Sequence, residues 1–192
     1  MSEIKNILLC GVGGQGTILA SKILSTALLN AGYDVKMSEI HGMSQRGGSV
    51  TTQVRYGEKV FSPIIGKGSA DILVSFEAME ALRYVGELNP AGHVVVNDYK
   101  KPTATTLSGK ETYPDDAIRQ VKALADTKVL DAAGIAEKLG NPKAMNMVLL
   151  GALVKMMGLE SLDWDEALTQ CVKPKFLDLN KQALQAGIQA VV

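Results

Sequence analysis

Six residues, Gly11-Val12-Gly13-Gly14-Gln15-Gly16, stand between an apolar run and a helical pattern, and that placement narrows the fold more than any other feature of the chain. Before them, Lys5–Cys10 has the short apolar character of a strand buried on both faces. After them, Ala20, Ile23, Leu24, Ala27, Leu28 and Ala31 recur at alternating gaps of three and one, as in an amphipathic helix that Gly32 would close. Asp34–Ser38 then reads as a second strand, so residues 5–38 predict a β-α-β unit with a right-handed crossover. The glycines permit a tight turn and leave bare amides at a helix N-terminus, where anions are attracted. Their spacing matches G-x-G-x-x-G. A dinucleotide site also wants an acidic residue at the end of the second strand, about 20 residues on. Asp34 begins that strand and Glu39 follows its end, so neither is a clean match. Two readings stay open: a loop that binds phosphate or carboxylate, and glycines that merely let helix and strand pack closely.

The rest of the chain alternates in the same manner. Ser49–Tyr56 sets Val50, Thr52 and Val54 against Thr51, Gln53 and Arg55, and Gly57-Glu58 suits a turn into Lys59–Ser62. Such a hairpin predicts a mixed sheet. Ile72–Phe76 and Val94–Asn97 read as strands, separated by a helix from Glu77 to about Leu88 that stops before Asn89-Pro90. Residues 98–113 are polar and read as a long loop or lid. Pro114 suits the first turn of a helix reaching about Ala125, Lys128–Leu130 a short strand, and Ala132–Leu139 a short helix. Lys143–Met157 is apolar on nearly every side and predicts a buried helix, followed by Trp164–Val172, capped by Asp163, and by Lys175–Val191. The expected fold class is α/β: a Rossmann-like three-layer sandwich with a mixed, mainly parallel sheet and a helical C-terminal region. At 192 residues, with no linker or repeat, residues 1–192 are expected to form a single domain.

A second constellation follows the second strand: Ser38-Glu39-Ile40-His41-Gly42-Met43-Ser44-Gln45-Arg46-Gly47-Gly48-Ser49. It should emerge at the carboxyl edge of the sheet beside the glycine loop, on an adjacent strand, and ligands of open α/β sheets bind at that edge. So polar and glycine-rich a stretch is not built to fill a core. Arg46 is suited to clamp a carboxylate or phosphate with two hydrogen bonds, or to make a salt bridge. His41 can exchange a proton near neutrality or make a structural hydrogen bond.

Several chemistries are missing. Lys plus Arg and Asp plus Glu each number 20, so no basic excess marks a nucleic-acid surface. The uncharged, mostly apolar run Ala144–Val154 is far short of the roughly 20 residues that span a bilayer. No leader pattern precedes Ile7–Cys10, which predicts a cytoplasmic protein. Cys10 and Cys171 are the only cysteines; without C-x-x-C they cannot ligate an iron–sulfur cluster, and both are expected to be buried small hydrophobes. His93, at the start of a strand, is expected at a solvated edge. No P-loop, G-x-S-x-G, H-E-x-x-H or thiamine-type G-D-G sequence occurs.

Gly11–Gly16, followed by Ser38–Val50 with its H-G-M-S-Q-R-G-G core, resembles the small-subunit family of the indolepyruvate ferredoxin oxidoreductases. More broadly it is similar to the gamma subunits and domains of the 2-oxoacid:ferredoxin oxidoreductases. The resemblance continues through Ala70-Asp71-Ile72-Leu73 and Asn146-Met147-Val148-Leu149-Leu150-Gly151-Ala152, and so covers most of the chain. It implies an obligate subunit, inactive alone, of a complex that decarboxylates a 2-oxoacid, passes the acyl group to coenzyme A and sends electrons to ferredoxin. Thiamine diphosphate, magnesium and iron–sulfur clusters would belong to the large catalytic partner subunit, and the isolated chain would be free to pair with a second copy. Gly11, Gly13, Gly14, Gln15, Gly16, His41, Gln45, Arg46, Gly47 and Gly48 would line the coenzyme A or substrate side, with no catalytic or metal-binding residue in this chain. The competing readings are a free-standing Rossmann-type NAD(P)- or nucleotide-binding protein and a non-catalytic assembly protein.

Overall fold

A computed structural model of the chain describes residues 4–39 and 47–191. At its centre is a sheet of β1 (Lys5–Val12), β2 (Asp34–Glu39), β3 (Ser49–Gly57), β4 (Ala70–Ser75), β5 (Leu88–Asn97) and β6 (Asp126–Leu130), ordered β2-β3-β1-β4-β5-β6. β1, β4, β5 and β6 are parallel to one another, while β3 runs antiparallel to both β1 and β2. The two strands of the expected β-α-β unit are therefore parallel but not adjacent: β3 lies between them. The cause is visible in the sequence of each strand. β3 pairs with β1 from Lys5↔Tyr56 to Val12↔Ser49 and buries Val50, Val54 and Tyr56. β2 is short and carries Asp34, Lys36 and Glu39, the charged character of an edge strand.

The mixed sheet thus arises from β3, and not from the hairpin expected at Gly57-Glu58. Lys59–Ser62 forms no strand. Side chains fasten it instead: the Val60 amide donates to Asp34 at 2.9 Å, and Arg55 Nη1 donates to the carbonyls of Ser62 and Ile64 at 2.9 and 3.1 Å. β5 also begins earlier than expected, at Leu88. Its pairing with β4 jumps from Ala70↔Leu88 to Ile72↔His93, an irregularity that lets Pro90 sit in the strand without a missing ladder bond. The preceding helix α2 is correspondingly short, Ala78–Tyr84, with one 3-10 turn, Val85–Glu87, after it.

Eight α-helices are described: α1 (Thr17–Asn30), α2, α3 (Ala104–Leu107), α4 (Ala117–Leu124), α5 (Ala132–Lys138), α6 (Met145–Met156), α7 (Trp164–Cys171) and α8 (Leu177–Ala190). Alternation along the strands sorts the core. Ile7, Leu9, Ile72, Val74 and Val95 pack under α1 and α5–α8, whereas Leu8, Cys10, Leu73, Val94 and Val96 pack under α2 and α4. α6 is buried on nearly every side, as its sequence predicts. Residues 98–113, expected as a loop, contain the single turn α3. Cys171, expected buried, is only half-buried, against Thr26. No helix among the described residues is long and apolar enough to cross a membrane.

This architecture places one crevice. β1 sends its chain into α1 on one face, and neighbouring β4 sends its chain into α2 on the other. The connections diverge from adjacent carboxyl ends, which makes a topological switch point. The glycine loop stands there.

Candidate functional site

The Gly11–Gly16 segment closes β1 and enters α1. Gly14 and Gly16 adopt φ of 93° and 86°, a left-handed conformation that side chains disfavour. A Cβ on Gly16 would lie 2.6 Å from Nδ2 of Asn146, and one on Gly11 would lie 2.9 Å from both Phe76 Cβ and Gln15 Oε1. The glycines are thus required by backbone shape at Gly14 and Gly16, and by close packing at Gly11. Gly16 is the N-cap of α1; among the described residues no side chain caps it, and no acidic residue lies in the first turn. Free amides and the positive end of the helix dipole therefore face the crevice.

Gln15 braces the loop from within. It is only 5 % exposed. Its Oε1 accepts the Val12 amide at 2.7 Å and its Nε2 donates to the Phe76 carbonyl at 2.9 Å. The residue ties the loop to the end of β4. Asn97 extends this bracing: Nδ2 donates to the same Phe76 carbonyl at 3.3 Å and Oδ1 accepts the Ala132 amide at 3.0 Å.

The two sequence motifs meet. The Gly13 amide donates to the Gly48 carbonyl at 2.9 Å, and Gly47, with φ of 93°, accepts the Ala104 amide at 3.2 Å. His41, Gln45 and Arg46 lie outside the described residues. Lys101 is a cation that reading the motifs missed: its Nζ lies 3.4 Å from the Gly13 carbonyl. The available signal was positional, since Lys100-Lys101 follows the carboxyl end of β5, on the same edge as the glycine loop. The loop separates two clefts. One, of about 310 Å³, is lined by Gly13, Gly14, Gly16 and the buried Thr17, Thr51 and Thr52. The other, of about 420 Å³, is lined by Gly14, Gln15 and Gly16 together with Tyr99, Lys143 and Met145.

The charges beneath the loop are committed to structure. Glu77 is 1 % exposed, caps α2 by accepting the Glu80 amide at 2.9 Å, and accepts both the Lys101 amide at 3.1 Å and the Tyr113 hydroxyl. Burial, and then the hydrogen bond to Glu77, push the Tyr113 phenol well up. Burial likewise pushes the Cys10 thiol up, so it is no thiolate nucleophile. His93 pairs with Asp126 at 2.8 Å, where β5 and the first residue of β6 are in register, far from the carboxyl edge. Among the described residues no group of three or more His, Cys, Asp or Glu side chains is placed to hold a metal ion. The arrangement presents the amides that begin α1 and, beside them, the Lys101 ammonium.

Comparison with known proteins places this geometry in context. The model of the family described as pyruvate ferredoxin/flavodoxin oxidoreductase matches residues 6–190. The indolepyruvate oxidoreductase subunit IorB of Pyrococcus horikoshii is 38% identical over 193 residues, covering 96% of this chain and 95% of that one. The 2-oxoglutarate synthase subunit KorC of Methanothermobacter thermautotrophicus is 30% identical over 196 residues, covering 98% and 95%. Among solved structures, the pyruvate oxidoreductase subunit PORC of Thermotoga maritima shares the fold with a TM-score of 0.73 at 24% identity, over 97% of this chain and 96% of that one.

Proposed function

Because the chain belongs to the pyruvate ferredoxin/flavodoxin oxidoreductase family, we propose that it is the small subunit of a 2-oxoacid:ferredoxin oxidoreductase of the indolepyruvate type, with its glycine cleft on the coenzyme A or substrate side. Identity of 38% to an indolepyruvate subunit against 30% to a 2-oxoglutarate subunit favours the arylpyruvate branch. The complex would release carbon dioxide from the 2-oxoacid, pass the acyl unit to coenzyme A and pass an electron pair to ferredoxin. Thiamine diphosphate, magnesium and the iron–sulfur clusters that supply the decarboxylation and electron transfer belong, on this reading, to a large catalytic partner subunit. What this chain supplies is binding and orientation.

The hydrogen bond from Gly13 to Gly48 carries the reading, because it joins both motifs at the switch point. Amides at the start of α1, the Lys101 ammonium and the hydroxyls of Thr17, Thr51 and Thr52 make a surface suited to a phosphate or carboxylate. Arg46 supplies, in the same proposal, a bidentate contact to that anion. The dinucleotide alternative fits poorly. Glu39 does end β2, but β3 stands between β2 and β1, which puts that carboxylate's strand about 10 Å from the strand of the glycine loop, two strand spacings instead of one.

Lys101→Met in the assembled complex is expected to raise the KM for coenzyme A or 2-oxoacid about tenfold with little change in kcat, because a ground-state anion contact is lost. Arg46→Ala should act in the same direction, and Arg46→Lys should rescue little, since a point charge does not reproduce a planar fork. Unchanged KM for both substrates in both Lys101→Met and Arg46→Ala contradicts the binding role; dissociation of the complex on Arg46→Ala makes that residue an interface residue.

A further inference from the structure

Glu80 is fully buried, yet its carboxylate contributes nothing to the capping of α2, which Glu77 performs. Its Oε2 accepts the Ser49 hydroxyl and its Oε1 accepts Arg83 Nε at 3.2 Å. Arg83 Nη2 continues to Glu111 at 2.7 Å, and Glu111 accepts the Thr105 hydroxyl at 3.0 Å. The neighbouring Ala104 amide donates back to the Gly47 carbonyl. These contacts close a ring that begins and ends in the Gly47–Ser49 turn. The ring is not core packing, because it surrounds an open cleft of about 540 Å³ lined by Gly48, Ser49, Arg83, Thr103, Thr105 and Glu111.

A buried carboxylate persists only when charged or hydroxyl partners satisfy it. Here the partners are the Arg83 guanidinium, from α2 itself, and the Ser49 hydroxyl of β3, the residue after Gly48. Gly48 in turn receives the Gly13 amide of the glycine loop. We infer that Glu80 is a positioning residue for the ligand cleft: through Ser49 on one side, and through Arg83, Glu111 and α3 on the other, it sets the Gly47–Ser49 turn against the glycine loop. The inference rests on the cleft being a ligand site for its functional consequence, but its structural content can be read separately.

The test uses the assembled complex and two readouts. Ser49→Ala removes one hydroxyl with little risk to the fold, and Glu80→Gln keeps an acceptor for Ser49 while removing the charge that holds Arg83. Hydrogen exchange of the peptide containing the Gly13 amide should speed up in Ser49→Ala by about fivefold, the factor that one lost hydrogen bond of ordinary strength supplies. KM for coenzyme A or 2-oxoacid should rise by a similar factor with kcat preserved, and Ser49→Thr should restore both. A smaller change of the same sign is expected in Glu80→Gln. Faster exchange with unchanged KM supports the positioning role of Glu80 and removes the cleft from ligand binding. Unchanged exchange in both Ser49→Ala and Glu80→Gln overturns the inference, whatever the KM values.

Discussion

Gly187→Ala is expected to lower the melting temperature by about 10 °C. A Cβ there would stand 1.9 Å from the Val148 carbonyl oxygen, and one on Gly151 would stand 2.0 Å from the Leu184 carbonyl oxygen. α6 and α8 thus approach through two glycines facing each other's backbone, and backbone cannot rotate aside as a side chain can. Overpacking of this kind costs typically about 1–3 kcal/mol and more when neither side yields. In a chain of this length about 3 kcal/mol corresponds to roughly 6–12 °C. Gly86→Ala is the control, because its added Cβ meets nothing within 4 Å. Calorimetry showing Gly187→Ala and Gly86→Ala melting together contradicts the packing described.

The second large effect is expected at Gln15. Its alanine variant leaves the Val12 amide without its acceptor and takes one of two donors from the Phe76 carbonyl. Unpaired buried groups cost about 1–3 kcal/mol each, so a loss of about 2–4 kcal/mol is expected, together with loss of activity in the complex as the loop leaves the end of β4. Gln15→Glu sharpens the test. A protonated carboxyl presents the same acceptor and donor as the amide, whereas the ionised form cannot donate to Phe76 and is buried without a cation. Its folded-state pKa would be raised, so its stability relative to the parent should be highest at acid pH and should fall as the pH rises through and above the ordinary carboxylate range. A parallel pH dependence of parent and variant contradicts the role given to Gln15.

These residues show what was legible in the sequence. The strand–glycine–helix unit, the burial of α6 and the α/β class follow from local periodicity, and the structure has them. The position of β3 between β1 and β2 does not follow from local pattern. It depends on which strand offers the longer apolar pairing surface, a non-local competition that β3 wins and the charged, short β2 loses. The same limit explains Lys59–Ser62, where a turn dipeptide suggested a hairpin, while Arg55, from the preceding strand β3, and Asp34, from the adjacent strand β2, fasten the segment as a strap.

At the site, the glycines were readable because backbone conformations demand them. Gln15 was readable only as a member of a motif, and its task as a brace depends on Phe76, 61 positions away. Lys101 carried no motif at all. It reaches Gly13 only because β5 and β1 end on the same edge with β4 between them. Glu80 and Arg83 resemble an ordinary helical ion pair in sequence, and only the fold brings Ser49 and Glu111 to them.

The measurement that bears most directly on the whole account is recovery of the tagged chain from its native host, followed by identification and absorbance spectroscopy of what comes with it. The account predicts a large partner subunit carrying thiamine diphosphate and iron–sulfur absorbance, indolepyruvate-dependent and coenzyme A-dependent reduction of ferredoxin by the recovered complex, and no activity from the chain alone. A solitary chain that binds NAD(P) at micromolar concentration and needs no partner would contradict it.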